Sequence, residues 1–210
     1  MRKVVLFFAA TIMVLSLAST ASAGEFKATG GYSALQDGNG NGISFLSGGL
    51  RYDTDHFLAG GSYAMDLDYN PAPLLKNSDN LLLVYGGPRL LNVGLLKLAL
   101  VGGYYQWVNG LDLLTRATVR SEVNAAALGV HAQADLGPFG AELLYLKGVR
   151  NEYQRFLVND DVDSSWLELR GTVRLNDDIK AYVAYKELGY TAGGAGDELH
   201  GFGVGLTAAF

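Results

Sequence analysis

The chain has 210 residues, 49% of them hydrophobic, with 28 Gly, no Cys and a formal net charge of −5. The absence of Cys excludes disulfides, thiolate metal ligands and a lipidated-cysteine leader. The acidic balance argues against nucleic acid as a partner.

Arg2 and Lys3 precede an apolar run, Val4–Ala18, and Ala21-Ser22-Ala23 has the A-x-A form. This reads as a cleaved signal peptide over residues 1–23, because a run of about 15 residues is short for a spanning helix. The domain that follows is Gly24–Phe210, 187 residues. Removing Arg2 and Lys3 from 16 basic against 21 acidic residues leaves it at −7. No later stretch approaches the length of a spanning helix, so its apolar residues are dispersed.

They are dispersed with period two, which is strand patterning with one greasy face. The first strand, 25–35, sets Phe26, Ala28, Gly30, Tyr32 and Ala34 against Lys27, Thr29, Gly31 and Ser33. A polar Gly/Asn turn leads to the second strand, 42–52, where Leu46, Gly48, Leu50 and Tyr52 oppose Ser47, Gly49 and Arg51. After a tight turn at 53–56, the third strand, 57–68, sets Phe57, Ala59, Gly61, Tyr63 and Met65 against Gly60, Ser62, Ala64 and Asp66. Pro71 and Pro73 mark 69–79 as a loop. The fourth strand, 80–90, is apolar on both parities, so its facing stays open.

The fifth strand, 93–107, places Leu96, Leu98, Leu100 and Tyr104 opposite Lys97, Ala99, Gly103 and Tyr105; a loop is expected over 108–120. The sixth, 122–136, carries His131, Gln133 and Asp135 on its polar face and ends at the Gly137-Pro138 turn. The seventh, 139–149, has Glu142 opposite Ala141, Leu143 and Tyr145, and a loop follows over 150–162. The eighth, 164–175, opposes Leu167, Leu169, Val173 and Leu175 to Trp166, Glu168, Arg170, Thr172 and Arg174. The ninth, 179–189, opposes Ile179, Ala181, Val183 and Tyr185 to Lys180, Tyr182, Ala184 and Lys186. A Gly-rich loop at 190–198 precedes a closing strand that alternates Phe202, Val204, Leu206, Ala208 and Phe210 with small or polar residues.

Ten strands result, an even number, with alternately short and longer connections. Outer-membrane barrels combine short periplasmic turns with longer extracellular loops. The expectation is therefore an all-β, transmembrane, antiparallel up-and-down barrel of ten strands, with eight as the alternative and both termini periplasmic. In four strands an apolar residue near the short turn is followed six positions later by Tyr: Phe26/Tyr32, Phe57/Tyr63, Phe139/Tyr145 and Ile179/Tyr185. Six steps of ~3.3 Å, tilted ~40°, rise about 15 Å, inside an apolar band of ~25 Å with aromatic girdles.

The other face is then the lumen, which collects Lys27, Arg51, Asp66, Lys97, His131, Asp135, Glu142, Glu168, Arg170, Arg174, Lys180 and Lys186. Mixed signs point to a cross-linked interior, since an unpaired charge in a narrow lumen is costly. The expected pairs are Glu142 with Arg170, and Glu168 with Lys180 or Lys186. A Gly-Gly pair lies near the middle of each of the first five strands, as relief of bending strain or as one wall of a cavity.

Other candidate sites are weaker. Asp37-Gly-Asn39-Gly-Asn41-Gly42 matches the opening of a calcium loop, but Gly48 stands where the bidentate acid belongs, which favours an Asx turn. The acidic stretch 159–163 reads as a solvated loop tip, or as a cation bridge to lipopolysaccharide. Asp55-His56 and His200 with Asp197 and Glu198 are the acid–histidine combinations to weigh for omptin-like proteolysis, which needs such groups clustered at the extracellular rim. Asp55-His56 falls at the wrong end. No catalytic residue, cofactor or metal is expected.

The last strand, Phe202, Val204, Leu206, Ala208 and Phe210, resembles the C-terminal signal of bacterial outer-membrane β-barrels. The mature length as a whole resembles small single-chain barrels of that group, and in size and strand pattern the YfaZ-type barrels. The resemblance implies insertion by the barrel assembly machinery, with those five residues as the signal, and a monomer among lipid and lipopolysaccharide. A structural or surface-interaction role follows, with a narrow solute channel as the alternative and an outer-membrane hydrolase third.

Overall fold

The computed structural model describes residues 24–38, 40–67, 75–113, 118–155, 158–160, 162–192 and 195–210. The expected signal peptide, residues 1–23, lies outside them, as do Asn39 of the calcium-like turn and Asp161 of the acidic tip. Eleven strands are described: β1 (Glu25–Gln36), β2 (Gly42–Asp53), β3 (Phe57–Asp66), β4 (Leu75–Val93), β5 (Leu96–Leu113), β6 (Thr118–Leu136), β7 (Phe139–Arg155), β8 (Val158–Asp160), β9 (Val162–Arg174), β10 (Ile179–Ala192) and β11 (Ala195–Ala209). Ten of them close into a barrel. Each pairs antiparallel with its sequence neighbour, β7 pairs with β9, and β1 meets β11 from Lys27 opposite Ala209 to Gln36 opposite His200. The three-residue β8 pairs only with the end of β7. Closure leaves none of the ten with an unpaired edge, the condition for placing strands in lipid.

Side-chain parity sorts as the alternation requires. Leu46, Leu50, Leu100, Leu128, Leu169, Val183, Phe202, Val204 and Leu206 are exposed on the outer surface, whereas Ala99, Val101, Tyr105, Leu146 and Ala184 are buried inside. β4 settles its facing by register. Leu81 and Leu83 point inward, and Gly94 takes a positive φ of 57° to make the turn into β5. That turn, at 94–95, lies three residues beyond the expected one at 91–92, and the register shifts between Arg89 and Leu91 just before it.

Hydrogen-bonded pairing runs further than expected at the long-connection end. β5 and β6 remain paired to Asp112 opposite Thr118, and β10 and β11 to Ala192 opposite Ala195. The stretches 108–120, 150–162 and 190–198, expected as loops, are therefore largely hairpin, and β4 begins within the expected 69–79 loop. The greasy alternation ends below these extensions, and outward tyrosines mark where. Tyr32 bonds Ser44 (2.9 Å), Tyr63 Asn80 (2.8 Å), Tyr104 Asn124 (2.6 Å) and Tyr185 Glu187 (3.1 Å). Each ring carries a hydroxyl from an apolar band to a polar rim, the use made of Tyr at membrane boundaries.

Candidate functional site

Inside the barrel two different fillings meet. The half towards the long hairpins is apolar and aromatic. Leu81, Leu83, Tyr105, Trp107, Val123, Leu144, Leu146, Trp166, Leu188 and Leu199 form one buried cluster. Tyr105 and Trp166 pack with ring centroids 6.2 Å apart, and Trp107 meets Tyr190 edge-on at 5.5 Å. Two polar handles are used: the Tyr105 hydroxyl bonds Ser164 Oγ at 2.7 Å, and Trp107 Nε1 donates to Asp79 Oδ1 at 3.2 Å, whereas the buried Trp166 Nε1 has no partner among the described residues.

The half towards the short turns holds the charges. Asp53 is its hub: Lys27 Nζ (2.9 Å), Arg51 Nε (3.0 Å) and Arg89 Nη2 (3.0 Å) all reach its carboxylate. Arg51 then forks onto Glu142, with contacts of 2.8 and 3.1 Å. Arg170 binds Glu168 at 2.6 Å, approaches Glu142 to 4.0 Å, and lies 4.4 Å over the Tyr182 ring. His131 is buried against Arg51 and Tyr85; its Nε2 lies 3.5 Å from Arg51 Nη1, and since a guanidinium only donates, Nε2 is the acceptor.

Most of the expected lumen residues meet in this half, with different partners in places. Glu142 does approach Arg170, but its short contacts go to Arg51. Glu168 is bound by Arg170 two residues along its own strand, with Lys186 opposite it in the β9–β10 register. Lys180 is set opposite Arg174 by the same register, away from Glu168, and lies 3.8 Å from Asp135. Arg174 stands at the mouth, 42% exposed and 4.0 Å from Asp135. Lys97 shares that mouth, opposite Gln133. Asp66 lies at the other end of the barrel, at the far tip of β3.

Two network members escape sequence reasoning. Asp53 looks like the first residue of a tight turn, but it is the last inward position of β2. Arg89 sits in the strand whose facing was open, and its side chain is 1% exposed. The parity of Lys27 and Arg51, both seeking a carboxylate, was the available signal for Asp53. Among the described residues, the short-turn half carries eight cationic side chains, Lys27, Arg51, Arg89, Lys97, Arg170, Arg174, Lys180 and Lys186, against five inward carboxylates, Glu25, Asp53, Asp135, Glu142 and Glu168. A chain that is acidic overall keeps a cationic interior.

The inward glycines make room for rings. A Cβ at Gly31 or Gly205 would collide with the Tyr182 hydroxyl, and one at Gly60 would lie 2.9 Å from the Tyr85 ring. The two tyrosines thus fold flat over a glycine wall. What remains between them is a cavity of about 60 Å³ lined by Lys27, Ser47, Arg51, Tyr85, His131, Glu142, Glu168, Arg170, Tyr182 and Lys186, among others.

The remaining candidates resolve into local structure. Both Asp37 carboxylate oxygens accept from Asn41, at 2.7 Å from its backbone and 2.8 Å from its side chain, and Gly40 N–H donates to the Asp37 carbonyl at 2.9 Å, so Asp37 closes a local turn, with a span of four residues in place of the two of an Asx turn. Asp163 of the acidic stretch pairs with Lys147 at 2.6 Å. Asp55 accepts from Asn92 in the short-turn region. His200 Nδ1 lies 3.1 Å from Glu198, on the outward parity above Phe202, so this pair faces away from the lumen.

No protein-family model and no curated relative matches the chain. Among solved structures it is similar to the outer membrane protease OmpT from Escherichia coli, at 11% identity over 89% of this chain and 97% of that one, with a TM-score of 0.59. Two further similar structures are Ail, the attachment invasion locus protein of Yersinia pestis (10% identity, 89% and 99% covered, TM-score 0.48), and the β domain of the Bordetella autotransporter Brka (15%, 90% and 100%, 0.47). At this identity the likeness is one of fold. The closed ten-stranded antiparallel barrel, with an apolar outer surface and a charged interior, is that of the small outer-membrane β-barrels.

Proposed function

We propose that this chain is a monomeric integral protein of the bacterial outer membrane with a structural or surface-interaction role. Its long hairpins face the cell exterior, and its short turns and both termini face the periplasm. The observation that carries this reading is the apolar and aromatic plug across the hairpin half of the lumen, above a cross-linked charged half. A barrel of about eight strands is just wide enough for its own side chains to fill, and ten adds little. Solute passage would have to part Tyr105, Trp107 and Trp166 from their packing, and the first two from their hydrogen bonds.

The outward surface supports a lipid neighbour. Apolar residues cover it between the short turns and the tyrosine girdle, and lipopolysaccharide would meet the polar rim above. Phe202, Val204, Leu206 and Ala208 on the outer face of β11, with Phe210 just beyond its end, would be read by the barrel assembly machinery during insertion. A YfaZ-like identity is consistent with this size and strand pattern. No catalytic role is proposed, since the His200–Glu198 pair faces outward and Asp55-His56 sits by a short turn.

The test is electrical and topological. Reconstituted into planar bilayers, the full chain is expected to show no sustained conductance, and a tag between β10 and β11 is expected to react with antibody on intact cells. Steady open-channel currents would favour the narrow solute channel. A tag reachable only after the outer membrane is permeabilised would reverse the orientation.

A further inference from the structure

The lumen cavity is walled mainly by hydrogen-bond donors, and some of them are unused. Arg170 commits Nη2 to Glu168 and holds Nη1 near Glu142, but its Nε–H has no partner. His131, whose Nδ1 is also without a partner, lines the same space with the hydroxyls of Thr29, Ser47 and Tyr182. Four cations border it, Lys27, Arg51, Arg170 and Lys186, against two carboxylates, Glu142 and Glu168. Asp53, and Glu25 on Lys27 at 2.6 Å, take up part of the excess, but Asp53 is shared with Arg89, whose Nε and Nη1 are themselves unpartnered and buried, so five cations stand against four carboxylates.

Uncompensated charge in a narrow interior is costly, and a guanidinium cannot relieve it by losing its proton. Carboxylates do not make up the difference here. We propose that the lumen cavity of this barrel holds a small inorganic oxyanion of the phosphate or sulfate kind. An oxyanion suits the wall better than a halide. The wall offers separate donors of different geometry, a guanidinium N–H, ammonium groups and hydroxyls, and an oxyanion meets each with its own acceptor oxygen. About 60 Å³ is room for such an ion or for a few waters, and it excludes a lipid headgroup with its chains. At the short-turn mouth Lys97, Arg174 and Lys180 stand against Asp135 and Glu25, and Arg174 is open to solvent. A lumen whose net charge is positive concentrates anions. The site does not depend on any role of the outer surface.

The experiment is calorimetric titration of the detergent-purified full chain with sodium phosphate, ionic strength held constant with sodium chloride. Saturable binding is expected, competed by sulfate. Arg170→Gln and Lys186→Met should each weaken it by at least about tenfold, the effect of losing one charge-assisted contact. Lys147→Gln, outside the barrel and paired with Asp163, should leave it unchanged. Heat-modifiable migration on gels checks that each variant is folded. If Arg170→Gln fails that check, Lys186→Met decides. Absence of saturable binding to the wild-type chain overturns the proposal, as does full affinity in folded Lys186→Met.

Discussion

Replacing Asp53 by Asn removes the hub charge while keeping its shape. Three cationic nitrogens lie 2.9, 3.0 and 3.0 Å from its carboxylate, and its side chain is 5% exposed. At an effective dielectric of about 20, each such contact has a gross attraction of roughly 5 kcal/mol. Most of that offsets the desolvation of the ions, so the net effect is far smaller than the sum. Removing one partner of a buried ion cluster costs about 3–5 kcal/mol, because the charges left behind stay buried. Asn retains one acceptor oxygen, and Arg51 and Lys27 keep Glu142 and Glu25 as second partners. The expected loss is therefore at the low end, about 3 kcal/mol, or roughly a hundredfold in the unfolding equilibrium. Guanidinium-induced unfolding in lipid vesicles, followed by Trp107 and Trp166 fluorescence, measures it; both indoles lie in the lumen core. Adding Arg89→Met should restore part of the loss, because it removes the cation with no other ion-pair partner among the described residues. A loss below about 1 kcal/mol, the value of an exposed pair, would refute the hub role of Asp53.

Adjacent glycines give opposite expectations. Gly31→Ala sets a methyl group against the Tyr182 hydroxyl and 2.7 Å from the Val204 carbonyl oxygen, and should cost about 1–3 kcal/mol by the same unfolding assay. Gly30→Ala, one residue along and facing outward with nothing within 4 Å, should be neutral or mildly stabilising; equal losses at the two positions would remove the steric explanation. Deleting Phe210 removes a backbone pairing with Phe26 (2.9 and 3.1 Å) and a stacked ring at 6.3 Å, both at the barrel's end. The truncated chain should still refold in detergent yet fail to reach the outer membrane in cells, as read by fractionation. Normal insertion would remove Phe210 from the assembly signal.

The strands, their outward faces and the short turns were legible because lipid imposes a simple rule. Every second residue of a spanning strand must be apolar, and the rule is visible wherever the inner face is polar or small. It fades in two places for the same reason. In the hairpin half of the lumen, Leu81, Leu83, Tyr105, Trp107, Leu144 and Leu146 make the inner face apolar as well, so alternation vanishes and the facing of β4 stays open. Above the tyrosine girdle the sequence loses its period-two alternation, so the paired ends of β5, β6, β10 and β11 read as loops.

The sequence by itself determined the class of fold and which side of most strands faces inward, since these follow from local period and turn chemistry; it favoured ten strands over eight, and the closed pairing of β1 with β11 decided the count. Only the tertiary structure decided which charges meet. Asp53 gathers Lys27, Arg51 and Arg89 from three strands, and Glu142 answers Arg51 from across the lumen. Such contacts depend on strand register and barrel closure, which bring together residues 91 positions apart. The same closure decided that the lumen is divided into an apolar half and a cationic half, a division that no single strand carries.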